Sequence, residues 1–204
     1  MVRLTREHIA NCRLLLDRDA LLRALPDQAV CAEIGVDQGG FTARILEAAQ
    51  PKRLHLVDPW ATKRYDTDKF EQVRHRFSTE LATGRVELHR ATSLEAASSF
   101  TDTYFDWVYL DTTHAYALTA RELRAYAPKV KPGGMIAGHD YSMGNWVMGY
   151  RYGVIEAVHE FCVQEHWELV FLTAEPIEKQ SFAIRRIQDA SAPKVRPVTR
   201  DSTP

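Results

Sequence analysis

The sequence predicts an α/β fold: a doubly wound, mostly parallel sheet of seven strands, the last one antiparallel, with helices on both faces. Three observations carry this. Short apolar runs ending in Gly, Asp or Pro recur along the chain. Stretches whose apolar residues repeat at helical spacing separate them. The pattern then closes in two neighbouring apolar runs joined by a short turn. Strand and helix alternating at this interval need crossover connections, which make the strands parallel and place helices on both faces.

From Thr5 to Leu25 the residues Ile9, Cys12, Leu15, Leu16, Leu22 and Leu25 recur at helical spacing before Pro26. The reading is an N-terminal helical extension over residues 1–28. Residues 29–187 then form the main domain. "AVCAEIG" (Ala29 to Gly35), "RLHLVDP" (Arg53 to Pro59), "RVELHRA" (Arg85 to Ala91), "FDWVYLD" (Phe105 to Asp111) and "MIAGHD" (Met135 to Asp140) read as strands. Phe41 to Ala49, Asp68 to Leu81 and Ala117 to Ala127 read as helices between them. Near the end, Val154, Ala157, Val158, Phe161 and Cys162 form a helical stripe, and "WELVFLT" and "SFAIRRI" form an antiparallel hairpin across a Pro-containing turn. Residues 188–204 carry little apolar content and read as a flexible tail.

Composition narrows the function classes. Lys plus Arg total 26 against 27 acidic residues, so no global field draws the chain to a phosphate backbone or an anionic membrane. We expect neither nucleic acid nor membrane as a partner. No apolar run approaches the roughly 18 residues of a membrane span, and the first ten residues lack the apolar core of a secretory signal. Cys12, Cys31 and Cys162 are odd in number and widely spaced, which reads as reduced thiols in a cytoplasmic protein.

In a doubly wound sheet a ligand sits beyond the carboxyl ends of the strands, near the switch in strand order. "VCAEIGVDQGGFT" (Val30 to Thr42) runs off a strand through Glu33, Gly35, Gly39 and Gly40 into a helix. A dinucleotide fingerprint needs an opening Gly-x-Gly so that amides reach a pyrophosphate, and this segment lacks it. It offers a carboxylate instead, which would repel phosphate and suit a cation. Asp58, ending the second strand, stands where an acceptor takes ribose hydroxyls. Ser93, just past the third, stands towards an adenine. Asp111 and His114 follow the fourth strand, His139 and Asp140 the fifth. Neighbouring parallel strands end side by side, so these four can converge, and carboxylates with imidazoles suit a divalent metal.

"EIGVDQGG", the acid of "HLVDP", the "FDWVYLD" strand, "KPGG" at Lys131 to Gly134 and the closing hairpin together resemble the class I S-adenosylmethionine (SAM)-dependent methyltransferases, over roughly Ala29 to Ile187. The resemblance implies a Rossmann-like fold and SAM as cofactor. Glu33 and the turn with Gly35, Gly39 and Gly40 would hold its methionine portion, Asp58 its ribose and Ser93 its adenine side, with Asp111 lining the pocket. SAM carries a sulfonium and an ammonium but no phosphate, which agrees with the charge reading.

"LDTTHAY", "AGHDY" and "GVIEAVHEF" are similar to a bacterial small-molecule group that includes macrocin-type sugar O-methyltransferases and relatives of cephalosporin hydroxylases. Metal-dependent relatives bind magnesium through acids at the ends of these two strands, which implies metal roles for Asp111 and Asp140. His139 departs from the acid common there. Either it shifts preference from magnesium towards manganese, iron or zinc, or it is no ligand. His114 is the candidate base, with Asp111 and His139 beside it.

The expected activity is metal-assisted O-methylation of a small molecule. A metal-independent O- or N-methyltransferase with a His base stays open, as do an iron-dependent hydroxylase-like relative and a non-catalytic cofactor-binding protein. The aromatic segment Tyr141 to Tyr152 is either a lid over the acceptor or a contact between subunits of a homo-oligomer. Trp60 to Phe70 reads as a second wall of the acceptor pocket.

Overall fold

The structure is a computed structural model that describes residues 2–62, 65–145, 147–175 and 179–188. The expected tail from 189 onward, the proline of the last turn (Pro176) and Trp146 lie outside these residues. In chain order the elements are β1 (Arg13–Leu15), α1 (Arg18–Ala24), β2 (Val30–Ile34), α2 (Gly40–Ala48), β3 (Arg53–Val57), α3 (Thr67–Arg76), α4 (Ser78–Ala82) and β4 (Val86–His89). There follow α5 (Ser93–Ser99), β5 (Phe105–Leu110), α6 (Tyr116–Tyr126), β6 (Val130–Gly138), β7 (Gly144–Asn145), β8 (Tyr150–Arg151), α7 (Val154–Glu165), β9 (Trp167–Thr173) and β10 (Phe182–Arg186).

The main sheet runs β1-β9-β10-β6-β5-β2-β3-β4, and only β10 is antiparallel to its neighbours. This is the Rossmann-like architecture expected, with eight strands rather than seven. The eighth comes from the N-terminus. The single helix expected over Thr5 to Leu25 is instead a 3-10 turn at Arg6–His8, then β1, then α1. β9 would otherwise present an open edge, and Arg13 to Leu15 pair along it in parallel with Phe171 to Thr173. Asp17 then caps α1 by accepting from the Ala20 amide at 2.7 Å. The Leu14, Leu15, Leu16 run gave a helical count by chance; Leu14 and Leu16 are exposed.

The helix expected over Asp68 to Leu81 breaks at Phe77, which has non-helical φ −107 and ψ 27. The Phe77 ring covers the first crossover turn so closely that a Cβ at Gly39 would lie 2.6 Å from it. Packing there overrides helical propensity.

Two cores sandwich the sheet. β5 supplies both: Val108 and Leu110 face the cluster with Tyr126, Phe161 and Trp167, while Trp107 and Tyr109 face the cluster with Leu21, Trp60 and Phe77. A strand buried on both faces reads as one continuous apolar run, which is why "FDWVYL" stands out in the sequence. Strand order reverses between β2 and β5, so the crevice for a ligand opens at their carboxyl ends.

Candidate active site

Gly35 leaves β2 with φ +95, and a Cβ there would run into the Asp111 carbonyl oxygen at the end of β5. The two strand ends therefore touch, and only glycine permits it. Asp58, ending β3, braces this turn: its Oδ2 accepts from the amides of Val36 at 3.0 Å and Asp37 at 3.1 Å, and its Oδ1 from the Trp60 amide at 2.9 Å. The residue expected at the ribose is thus first a clamp on the turn, with one lone-pair direction of Oδ1 left over. Gly39 caps α2 in the left-handed region, and open space lies where a Gly40 Cβ would stand. That open backbone fits an extended ligand lying along the turn.

Glu33 is placed differently from the sequence reading. Its side chain lies beneath the turn, 1% exposed, where Thr42 Oγ1 donates to Oε2 at 2.5 Å. Burial pushes the carboxyl up to about 8, against the lowering effect of the Thr42 hydrogen bond. At neutral pH the ligand-free site is therefore not a fixed anion.

Asp111 and His139 adjoin because β5 and β6 run parallel with Leu110 opposite Gly138, and the His139 amide donates to the Leu110 carbonyl at 3.0 Å. His139 Nδ1 lies 3.1 Å from Asp140 Oδ2 and 3.8 Å from Asp111 Oδ2. Ligand atoms of Asp111, His139 and Asp140 all fall within 4.8 Å of one another. His114 joins from the other side, its Nδ1 3.1 Å from Asp140 Oδ2. His114 and Asp140 both hold positive φ, at 58° and 56°. Such backbone costs about 1 kcal/mol or more per residue, and it persists here beside the polar cluster. Burial pushes the Asp140 carboxyl up, but the His139 hydrogen bond and the charges of His114, His139 and Arg18 outweigh it and hold it below its ordinary value.

A divalent ion fits this set: two carboxylates and one imidazole, drawn from adjacent strand ends. His139 Nε2 and Glu122 Oε1 are buried without a hydrogen-bond partner among the described residues. Both residues line one cavity of about 10 Å³, room for a single water-sized group. Ser93 is not brought to the crevice by its side chain. Its hydroxyl engages buried Glu122, and its carbonyl accepts from Tyr126 Oη at 2.8 Å.

Arg18 is the site residue that sequence reasoning missed. From the first turn of α1 its Nη2 donates to Asp111 Oδ2 at 2.9 Å and its Nε to Tyr109 Oη at 3.1 Å, over the Phe41 ring at 3.8 Å. No motif announces it, because every partner lies far along the chain. Within the aromatic segment, Gly144–Asn145 and Tyr150–Arg151 pair as the small β7–β8 ribbon, and Met143, Val147, Met148 and Tyr150 are exposed. Tyr152 reaches back, its ring centroid 4.9 Å from that of His114.

Residues 32–141 match the family model described as a methyltransferase domain. No curated protein matches. Among solved structures the chain is similar to a Corynebacterium glutamicum protein, with TM-score 0.65 and 14% identity over 87% of this chain and 85% of that one. It is also similar to SMU.1697c of Streptococcus mutans, solved with SAH, with TM-score 0.59 and 13% identity over 83% and 96%. The pyocyanin biosynthetic protein PhzM gives TM-score 0.62 and 16% identity over 81% of this chain, which spans 54% of PhzM. At these identities the likeness is one of fold, whereas the family model covers more than half of the chain. The chain belongs to the methyltransferase-domain family.

Proposed function

We propose that the protein transfers a methyl group from SAM to a hydroxyl of a small molecule, assisted by a divalent ion held by Asp111, His139 and Asp140. The observation that carries this reading is the convergence of those three side chains within 4.8 Å beside the glycine turn. A bound divalent ion would lower the pKa of an acceptor hydroxyl. Glu33 supplies the charge that pairs with the ammonium of SAM, giving up its proton as the ligand binds. Asp58 keeps the turn in shape through its three amide contacts. His114, oriented through Nδ1 by Asp140, presents Nε2 to take the acceptor's proton. In-line displacement needs acceptor and sulfonium at near-attack distance, and the contact of Tyr152 with His114 supports reading the β7–β8 ribbon as a cover for them. The formal net charge of −1 supports a small acceptor rather than nucleic acid.

One observation favours a metal-free variant of the same chemistry: His114 Nδ1 lies 3.1 Å from Asp140 Oδ2, which supports a His114 base paired with that acid. Metal-stripped protein separates the two. SAM binding measured by calorimetry should survive stripping, Asp111→Asn should lose Mn2+ binding at the crevice, and turnover on a hydroxylated acceptor should need added metal. Full turnover in the stripped protein would refute metal assistance, and absence of SAM binding would refute the whole reading. His114→Ala should lower turnover about 100-fold while leaving SAM affinity within a few-fold; equal losses in both would remove His114 as base.

A further inference from the structure

A second cluster of metal-ligating side chains lies away from the crevice, on the outer strands. β3 and β4 pair in parallel with His55 opposite Glu87 and Val57 opposite His89. Alternation along each strand therefore turns His55, Glu87 and His89 to one face. His55 Nδ1 and His89 Nε2 lie 2.9 Å apart. The two Glu87 oxygens straddle them, Oε2 3.7 Å from His55 Nδ1 and Oε1 3.7 Å from His89 Nε2. Tetrahedral ligands on bonds of about 2.1 Å stand about 3.4 Å apart, so three donor atoms already sit near the corners of such a shell.

We propose that His55, Glu87 and His89 form a second divalent-metal site, with the two-nitrogen, one-carboxylate donor set that suits zinc and a solvent-facing fourth position. The surroundings agree. His55 is held from its other ring nitrogen, Nε2, by Tyr104 Oη at 3.0 Å, the kind of outer partner that fixes the tautomer and orientation of a ligating imidazole. Phe100, Tyr104 and Phe105 pack edge-on against the same ring. Glu87 is half exposed and His89 partly so, which leaves a way in.

His55 Nδ1 and His89 Nε2 share one hydrogen bond at 2.9 Å, so a metal taking both nitrogens displaces that proton. Arg53 opposes an incoming cation and Glu87 offsets it. The site is two and three strands removed from β5, about 10 Å or more from Asp111. It is nonetheless linked to the crevice, because the His89 carbonyl accepts from the Asp58 amide at 3.2 Å. A metal here would pin the edge strand whose end holds the Asp58 corner.

The test uses full-length His139→Ala protein stripped of metal, so that the crevice cluster does not contribute. One equivalent of Co2+ should give the visible d–d bands of a tetrahedral site, and Zn2+ should displace them. Adding Glu87→Gln should weaken Zn2+ binding at least tenfold without moving the urea midpoint measured in chelator, and adding His89→Ala should abolish the bands. Tyr104→Phe should weaken Zn2+ about tenfold through the His55 orientation. No bands in the His139→Ala background, or bands unchanged by both Glu87→Gln and His89→Ala, would overturn the proposal.

Discussion

Replacing Glu33 with Gln should make the ligand-free protein more stable while impairing cofactor binding. The wild-type carboxyl titrates near 8 in the fold against an ordinary 4.5. A folded-state pKa above the unfolded one means that the native chain binds the proton more tightly. Stability from this group is fully present below about 4.5, and it is lost as pH rises towards 8. At pH 7 the unfolded chain has released the proton and the folded chain has not. At 1.36 kcal/mol per pKa unit, the penalty there is about 3 kcal/mol. Gln has no proton to hold, keeps an oxygen for the Thr42 hydroxyl, and removes the penalty. For a chain of this size the gain corresponds to a rise in Tm of about 6–12 °C.

Urea melts at pH 5, 7 and 8.5 check this directly. The difference between variant and wild type should be small at pH 5 and grow with pH. SAM affinity gives the opposite face of the same proton. In wild type it should strengthen up to about pH 8 as Glu33 ionises more easily, and in Glu33→Gln it should drop at least tenfold and lose that pH dependence. A variant no more stable than wild type at pH 7, with parallel pH profiles, would refute the buried-proton argument.

Two glycines of the turn should behave in opposite ways. Gly35→Ala meets the Asp111 carbonyl at a positive φ and should cost about 3 kcal/mol or more by chemical denaturation. Gly40→Ala meets open space and should leave stability within about 0.5 kcal/mol, yet lower SAM affinity in calorimetry if the ligand lies along that backbone. Arg18→Ala strips Asp111 and Tyr109 of a buried donor and should cost about 2 kcal/mol, again read by denaturation.

The sheet was legible because its strands obey local rules. The runs ending at Gly35, Asp58, Asp111 and Asp140 are mostly apolar since both faces are covered, with Glu33 and His55 buried among them, and the residue after each run falls at the carboxyl edge. That is why Asp111, His139 and Asp140 were foreseen as neighbours from spacing alone: parallel register fixed Leu110 against Gly138, and the next residues had nowhere else to go. What the sequence hid were features decided by distant partners. β1 exists only because β9 has a free edge, and α3 ends at Phe77 only because its ring is needed over Gly39. His55 escaped notice as a partner of Glu87 and His89 for the same reason: it lies 32 residues before Glu87, and only the pairing of β3 with β4 brings it to them.

At Glu33 the residue type was legible in the sequence and the burial of its side chain was not. From the sequence its carboxylate looked like a standing repellent of diphosphates. Burial removes that role, since a neutral acid repels nothing. Discrimination must then come from what a ligand can induce. A cation recovers the cost of ionising Glu33 by pairing with it, whereas a diphosphate would face Asp58 with its amides already taken, and no opening Gly-x-Gly to supply others. Arg18 does not offer an anion an anchor in this crevice, because its guanidinium is committed to Asp111 and Tyr109. Selectivity for a positively charged cofactor is thus a property of protons and amides already spoken for, and its signature is the pH dependence of binding rather than the charge of the empty site.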